Sequence, residues 1–400
     1  MAEDDHLYKK SLFLIRYFIS VSLSAILLAE LILWLCFPIS ENSLSITQKY
    51  QPNMPGLKNN ITYTQNQYGF RSLSMRTKEK GSRTVRIICI GASTTGQGSQ
   101  NTEDTWSGIL EQKLNEIMSK SNIPVEVAAW GIGGKKVWDG YLYCAHELSK
   151  FEPDIVVNLW GINDLAGQGG PNYSYSGKEK KMTDLRNALV KKESKKNGWK
   201  SHFKTTLLKY SQIYRRLVHI RMRRTDKTLL AIKQVLAGEV DKLLSKRQSE
   251  YRRLPFKENI SRNPDPILEF TDGIEALILL LKKQGIETVV MSQPILWKKD
   301  MSSAEKDVLW FSFNTKEGPV RASGQWLETE MSRYNQIQEK LAENYRLSYV
   351  PLDSLIPKTL NIFYDDCHFT DNGNRAVAQA AYPEALKLVK KVAEKRKLII

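Results

Sequence analysis

Along most of the chain, segments with a short strand-like pattern of hydrophobic residues alternate with longer segments that have a helical pattern. The strand-like runs are residues 84–90, 124–129, 154–160, 286–292 and 346–352, and the helical patterns are residues 105–121, 136–151, 267–284, 328–344 and 373–395. The runs are short and rich in β-branched residues, whereas the stripes repeat at helical spacing. This alternation predicts an α/β fold in three layers, with a parallel, doubly wound sheet between two layers of helices.

Residues 17–37 form an apolar span of 21 residues near the N-terminus. As a helix, such a span is long enough to cross a bilayer core of about 30 Å. Lys9, Lys10 and Arg16 precede it, and no basic residue follows until Lys49. The positive-inside rule then predicts a single-pass anchor in the cell membrane, with a cytoplasmic N-terminus and the remainder outside. A cleaved signal peptide would have a shorter apolar region and small residues before the cut.

Glu30 is an acid inside this apolar span. An ionisable group at the middle of a span costs about 2.5 to 3.5 kcal/mol on insertion scales, unless it is protonated or faces a partner. Two explanations for Glu30 remain open: the span tolerates a single acid, or the acid contacts another helix.

Two further stretches depart from the alternation. Residues 39–81 are polar and rich in Asn, Ser, Gln and Pro, which predicts a linker that leads into an N-terminal extension. Residues 166–264 contain three helical patterns, which predicts an inserted helical subdomain. The three patterns lie at about residues 183–197, 204–224 and 226–251. The expected organisation is a cytoplasmic N-terminus and anchor at 1–38, a linker and extension at 39–81, the α/β domain at 82–165 and 265–400, and the insert at 166–264.

Charge and composition narrow the possible partners. The chain carries a formal charge of +16, and residues 176–262 hold 25 Lys and Arg against 8 Asp and Glu, so the insert carries the whole positive excess. A solvated helical face, a contact with anionic lipid headgroups and a site for an acidic glycan are all compatible with this charge. Nucleic acid is not an expected partner, because the predicted topology places this segment outside the cytoplasm.

The cysteines do not indicate a metal or a disulfide framework. Cys36, Cys89, Cys144 and Cys367 are scattered, with no C-x-x-C and no metal-ligand spacing. We therefore expect no metal, no cofactor and no structural disulfide. A hydrophobic content of 42% is ample for a large buried core.

Candidate chemistry begins in residues 84–98, TVRIICIGASTTGQG. A buried strand ends in a sharp turn there, which places Ser93 at the carboxyl end of a strand and at the start of a helix. Open α/β sheets bind their ligands at that edge. Two familiar motifs do not fit: Gln97 stands where a phosphate loop needs Lys, and Thr95 stands where the hydrolase elbow G-x-S-x-G needs Gly. A serine nucleophile in a different strand-to-turn setting is what remains.

Three later motifs follow the same pattern. Gly131-Ile132-Gly133-Gly134 follows the second strand, Gly161-Ile162-Asn163-Asp164 follows the third, and Asp365-Asp366-Cys367-His368 lies near the C-terminus. With the serine turn, these motifs resemble the four blocks of the SGNH (GDSL-like) hydrolase family, in the family's order. The resemblance covers roughly residues 82–165 and 265–390 and implies a flavodoxin-like SGNH hydrolase fold. Ala92 and Ala129 depart from the family's usual Asp and Asn.

The resemblance also implies a role for each motif. Ser93 would be the nucleophile, His368 its base and Asp365 the acid that orients the imidazole, with Asp366 as a possible substitute for Asp365. The backbone N–H groups of Ser93 and Gly134 and the side-chain amide of Asn163 would form the oxyanion hole. Gly131 is an alternative to Gly134, and a lack of room for a Cβ is the expected reason for glycine. Asp164 is expected to be structural.

Two hypotheses from different classes follow. The leading one is a membrane-anchored serine esterase that hydrolyses, or transfers, a short acyl ester on a carbohydrate or lipid. The alternative is a catalytically silent SGNH-like module that holds a glycan or an assembly partner through the basic insert. The presence of Ser93, Asn163, Asp365 and His368 together favours the enzyme.

Overall fold

The computed structural model of the chain describes residues 2–36, 45–50, 57–58, 61–66, 68–166, 211–214, 216–217, 244–261, 265–315 and 317–398. The predicted helical stretch 183–197 lies outside these residues, as do most of 204–224 and the first part of 226–251. The chain divides into two compact units: residues 1–44 with 176–229, and residues 45–175 with 230–400.

The strands of the described residues belong to the second unit. In the described residues they are β1 (Ser45–Tyr50), β2 (Ile61–Asn66), β3 (Arg71–Ser72), β4 (Val85–Gly91), β5 (Val125–Gly131), β6 (Ile155–Leu159), β7 (Phe256–Lys257), β8 (Glu287–Met291), β9 (Phe313–Thr315), β10 (Gly318–Ala322) and β11 (Ser348–Val350). Six of them form one sheet in the order β11-β8-β6-β4-β5-β3. The pairs among β4, β5, β6, β8 and β11 are parallel, and β3 joins the edge antiparallel to β5.

Helices α1 to α10 accompany the strands in the described residues. They are α1 (Ala2–Cys36), α2 (Ser93–Gly96), α3 (Trp106–Met118), α4 (Val137–His146), α5 (Ile162–Ala166), α6 (Pro266–Lys283), α7 (Ser303–Asp307), α8 (Gly324–Tyr345), α9 (Leu352–Leu355) and α10 (Asp371–Lys395). Residues 244–253 are also helical, and we refer to them as helix 244–253. Helix α4 packs on α6, and α3 packs on α10. The five strands and five long helices predicted for the α/β domain are therefore confirmed.

The sheet places the carboxyl end of β4 between two partners. Every residue of β4 is buried, as expected for a strand covered on both faces. In the register, Gly91 at its end pairs with Gly131 of β5 and Leu159 of β6. Segments that leave these three strands therefore emerge side by side at one edge of the sheet.

The first unit contains the apolar helix. Phe13–Cys36 in α1 is the one helix in the described residues that is long and apolar enough to cross a membrane, with a mean hydropathy of 2.2 and none of its most apolar stretch buried. Its length and composition are compatible with a membrane anchor and with a signal sequence.

Glu30 has partners within this first unit. One carboxylate oxygen accepts hydrogen bonds from the hydroxyl of Ser211 and the backbone N–H of Ile213, both at 3.1 Å. The other accepts from the backbone N–H of Gln212. The hydroxyl of Ser211 accepts in turn from the N–H of Tyr214 at 3.0 Å. The carboxylate thus caps a helical turn at residues 212–214, and of the two possibilities left open, the helix contact is the one observed.

Some elements were not anticipated. Residues 45–50 and 61–66, within the predicted linker, pair as an antiparallel two-stranded sheet. A second small sheet has the order β7-β10-β9. The second compact unit also takes in residues 166–175 and 230–264, which belong to the predicted insert. The predicted boundary of the insert stays a prediction.

Candidate active site

Ser93 is the first residue of α2, directly beyond the end of β4. The turn is tight: a Cβ on Gly91 would lie 2.1 Å from Oγ1 of Thr95 and 2.5 Å from the carbonyl oxygen of Leu159. Only glycine fits at that strand end. Thr94 and Thr95 are fully buried, whereas Ser93 is half-buried, so the turn presents the serine at the sheet edge.

The structure brings Ser93, His368 and Asp365 together. Oγ of Ser93 lies 2.7 Å from Nε2 of His368. On the other side of the ring, Nδ1 of His368 lies 2.8 Å from Oδ2 of Asp365. The two ring nitrogens therefore connect a serine hydroxyl with a carboxylate, although 275 positions separate the serine from the histidine in sequence.

The D-x-x-H loop, residues 364–368, is fixed by its own backbone. Phe363 and Phe369 form an isolated antiparallel bridge that closes the loop. Oδ1 of Asp365 accepts from the backbone N–H groups of Cys367 at 3.0 Å and His368 at 2.8 Å. This is an Asx-type turn, which brings an aspartate beside the histidine three positions later. The D-x-x-H spacing thus has a local structural cause.

The charges of Asp365 and His368 stabilise each other. Burial opposes a charged imidazole, but the adjacent Asp365 carboxylate raises the pKa of His368 well above its ordinary value. Burial likewise opposes a charged Asp365, yet the imidazole and the backbone N–H donors hold the pKa of that carboxyl below its ordinary value. The Asp365 carboxylate and a protonated His368 therefore stabilise each other.

Asn163 lies at the second residue of α5, after β6. Its side-chain amide donates to the carbonyl oxygen of Lys135 at 2.9 Å. An amide carries two N–H donors, so this bond orients the group and leaves one donor available. Asn163 is thereby linked to the loop after β5 that contains Gly133 and Gly134.

The glycines of that loop differ from the expectation in one respect. Gly134 has a φ of +77°, and nothing lies within 4 Å of a Cβ built on it. Backbone conformation therefore requires glycine there, and the expected lack of room is wrong for this position. The close approach is at Gly131, where a Cβ would lie 2.1 Å from the backbone nitrogen of Gly96. Gly133 is the glycine beside the serine, since its Cβ would lie 3.9 Å from that of Ser93.

Two further aspartates are buried near the site. Oδ1 of Asp164 accepts from the backbone N–H of Val137 at 3.1 Å and so fixes the start of α4. Asp366 accepts from the indole N–H of Trp297 at 2.8 Å and from the backbone N–H of Trp310 at 2.9 Å. Burial raises the pKa of each carboxyl to about 7, with the Asp365 charge as a second cause for Asp366. Asp365, not Asp366, is the acid that contacts the imidazole.

Sequence reasoning missed three residues around the site. The buried guanidinium of Arg71 donates to the carbonyls of Gly96 at 2.8 Å and Gln100 at 2.7 Å, which holds the turn after Ser93. The rings of Tyr364 and Trp310 lie nearly parallel to the imidazole of His368, at interplanar angles of 13° and 11°. Arg71 belongs to a Gly-Phe-Arg stretch before β4, and this stretch is the sequence feature that could have pointed to a role for Arg71.

One group of potential metal ligands occurs among the described residues. The ligand atoms of Asp365, Cys367 and His368 lie within 4.8 Å of one another. The carboxylate and the imidazole already hydrogen-bond each other, so the cluster needs no metal to explain it.

A three-layer α/β fold with a mainly parallel sheet and these four motifs in order resembles that of the SGNH-type ester hydrolases. A model of the GDSL-like Lipase/Acylhydrolase family matches residues 89–376. Because this match covers well over half of the chain, the chain belongs to that family and is an ester hydrolase of the SGNH type.

Two acetyl xylan esterases are among the solved structures that resemble the chain, both at low identity. The acetyl xylan esterase AlAXEase is 16% identical, with a TM-score of 0.38 over 75% of this chain and 98% of that one. Axe2, an acetylxylan esterase from Geobacillus stearothermophilus, is 13% identical, with a TM-score of 0.40 over 75% of this chain and 93% of that one. No curated protein matches the sequence. Family membership therefore rests on the family model.

Proposed function

We propose that this protein is a membrane-anchored serine esterase that hydrolyses, or transfers, a short acyl ester on a carbohydrate or lipid. Ser93 is the nucleophile, His368 the general base and Asp365 the acid that orients the imidazole. The observation that carries the proposal is the continuous relay from Oγ of Ser93 through both ring nitrogens of His368 to Asp365, with contacts of 2.7 and 2.8 Å.

The first half of the reaction forms an acyl-enzyme. Oγ of Ser93 attacks the ester carbonyl carbon, and its proton passes to Nε2 of His368. The tetrahedral intermediate then breaks the bond between carbon and the leaving oxygen, which takes that proton from the imidazolium. Asp365 remains ionised and stabilises the imidazolium throughout.

The second half releases the acyl group. His368 takes a proton from water or from a sugar hydroxyl, whose oxygen attacks the acyl carbon. Collapse of this intermediate returns Ser93 to its free form with the proton from His368. Water gives hydrolysis and a sugar hydroxyl gives transfer, so both outcomes use the same residues.

Three donors stabilise the oxyanion in this proposal. They are the backbone N–H groups of Ser93 and Gly134 and the remaining amide N–H of Asn163. The hydrogen bond from Asn163 to the carbonyl of Lys135 supports this assignment, because an amide already oriented loses little entropy when the charge develops.

Helix α1 is the anchor in this proposal, with a cytoplasmic N-terminus and a catalytic domain outside. Its length, its apolar composition and the Lys and Arg residues that precede the apolar span 17–37 support this topology. The basic segment 176–262 would contact anionic lipid headgroups, where each basic residue contributes about 1 kcal/mol. Vesicle binding that fails to weaken with salt, or that requires an acidic glycan instead, would contradict the headgroup contact.

Hydrolysis of p-nitrophenyl acetate by the full chain in detergent tests the proposed activity. We expect turnover by the wild type and its loss in Ser93→Ala, with both proteins giving the same thermal unfolding curve. Turnover that persists in Ser93→Ala would contradict the assignment of the nucleophile. An inert wild type that binds a glycan would favour the silent module.

A further inference from the structure

Trp310 lies in the loop between α7 and β9 and bonds two consecutive acids of the D-x-x-H loop. Its indole Nε1 donates to Oδ2 of Asp365 at 3.0 Å. Its backbone N–H donates to Oδ2 of Asp366 at 2.9 Å. Both aspartates are buried, at 2% and 0% exposure. Trp310 is therefore hydrogen-bonded to Asp365 through its side chain and to Asp366 through its backbone.

The indole completes the set of donors around Asp365. Oδ1 is held by the backbone N–H groups of Cys367 and His368. Oδ2 accepts from Nδ1 of His368 at 2.8 Å and from the indole of Trp310 at 3.0 Å. With donors on both oxygens, the carboxylate cannot rotate about its bond to Cβ without losing a charge-assisted hydrogen bond.

Trp310 is itself fixed by helix 244–253. The guanidinium carbon of Arg247 lies 4.9 Å from the centroid of the Trp310 ring. Gln248 donates to the carbonyl of Val308 at 3.1 Å, and Arg252 donates to the carbonyl of Asp307 at 3.0 Å. Gln248 and Arg252 are four positions apart and therefore lie on one face of the helix, and Arg247 immediately precedes Gln248. These three contacts hold Trp310 and the segment that precedes it.

We propose that Trp310 is a positioning residue for the Asp365–His368 pair, and that helix 244–253 holds Trp310 in place. This inference rests on the proposed function of the relay and adds a residue to it. Helix 244–253 is then coupled to the orientation of the catalytic imidazole.

The indole bond has a defined electrostatic effect. An N–H donor on Asp365 spreads the carboxylate charge, so removing it leaves more of that charge facing His368. The imidazolium then becomes more stable, and the acid limb of the pH profile moves to higher pH.

Other ionisable groups surround the pair and bear on the pH profile. They are Tyr364, Asp366 and Cys367 on the D-x-x-H loop, and Arg247 and Tyr251 on helix 244–253. Burial raises the pKa of Tyr364 to about 12 and that of Cys367 to about 11, so both are neutral over the assay range. Burial also raises the pKa of Asp366 to about 7, within that range. Asp366→Asn removes this titration, so Trp310→Phe is measured in that background as well as in the wild type, whereas Trp297→Phe is measured in the wild type alone.

The experiment compares Trp310→Phe with Trp297→Phe in the full chain, with p-nitrophenyl acetate as substrate. The second variant also removes an indole N–H from a buried carboxylate, but that carboxylate is Asp366. For Trp310→Phe we expect kcat to fall about tenfold with KM unchanged, and the acid limb to move to higher pH. The downfield proton resonance of His368 Nδ1–H should shift as well. For Trp297→Phe we expect the acid limb and the resonance of the wild type.

An unchanged acid limb and resonance in Trp310→Phe would overturn the proposal, as would an equal shift in Trp297→Phe. If Trp310→Phe does not fold, benzothienylalanine at position 310 replaces the indole N–H by sulfur within the same ring shape, and the same outcomes apply. Fluorophosphonate labelling of Ser93 in the wild type distinguishes a failure of the proposed function from a failure of the role proposed for Trp310. Failure of that labelling contradicts the proposed function, whereas normal labelling with an unchanged Trp310→Phe profile contradicts only the role of Trp310.

Discussion

The guanidinium of Arg71 donates to the backbone carbonyl of Gly96 at 2.8 Å, three residues after the proposed nucleophile Ser93. Arg71 is 2% exposed and lies on β3, the antiparallel edge strand of the sheet. Its further bond to Gln100 extends this support along the turn. The N-terminal extension therefore positions the nucleophile, although it precedes the family's first motif.

Replacing Arg71 by Met should weaken both stability and catalysis. The substitution leaves buried carbonyls without donors, and we expect the free energy of unfolding to fall by about 3 kcal/mol. The Ser93 turn would loosen, with kcat lowered more than KM is raised. Arg83→Met is the matched control, because Arg83 donates to the carbonyls of Ser121 and Asn122 beyond the end of α3. We expect a loss of about 1 kcal/mol or less for that control in urea denaturation, with normal kcat.

Gly134→Ala and Gly133→Ala should differ in their effect on turnover. Gly134 has a φ of +77°, which costs a residue with a Cβ about 1 to 2 kcal/mol, so the loop that supplies the proposed oxyanion donor should shift. We expect kcat to fall on the order of tenfold. In Gly133→Ala the new Cβ makes only an ordinary contact, 3.9 Å from that of Ser93. Steady-state kinetics in which Gly133→Ala is the more damaging variant would contradict this assignment.

The pH dependence of kcat/KM should reflect the charge of Asp365. The base acts in its neutral form, so activity rises as His368 loses its proton. Because the Asp365 carboxylate raises the pKa of His368, we expect the acid limb above the ordinary value of 6.5. In Asp365→Asn that support is lost while burial remains, so the limb should move to lower pH and kcat should fall on the order of 10⁴-fold. A limb that stays in place in Asp365→Asn would show that another group controls it.

Glu30 should control access to the turn at residues 211–214. Glu30→Leu removes the acceptor of three donors, whereas Glu30→Gln keeps one acceptor oxygen. Gln212 is fully buried, so a cysteine there reports local opening. In full-length protein in membranes, with Cys36 replaced by Ser, we expect maleimide labelling of Gln212→Cys to be slow in the wild type, intermediate in Glu30→Gln and fastest in Glu30→Leu. Equal rates in all three would exclude a stabilising role for Glu30.

The central strands were predictable because their chemistry is local. Val85–Gly91 is a continuous apolar run, as a strand buried on both faces requires. The D-x-x-H motif was also readable, since an Asx-type turn brings Asp365 to His368 within three residues. The strand and turn indicated Ser93 as a nucleophile, and the family resemblance supplied its pairing with His368, which no local pattern indicates.

Elements that depend on tertiary contacts were missed. Strands β1 and β2, SITQKY and ITYTQN, are short and largely polar, so their pairing leaves little trace in hydropathy. Trp310 contacts Asp365 across 55 positions from a loop without periodicity. The sequence shows a glycine at position 134 but not why one is needed there, because the residue type does not distinguish a positive φ from a close approach of the backbone.

The central claim is that His368 activates Ser93 as a nucleophile. Covalent labelling by a fluorophosphonate, with the modified residue located by mass spectrometry, tests it most directly, because only an activated serine reacts quickly. We predict rapid, single-site modification of Ser93 in the wild type, and a large loss of labelling rate in a folded His368→Ala variant. A label on any residue other than Ser93, or undiminished labelling in His368→Ala, would contradict the account.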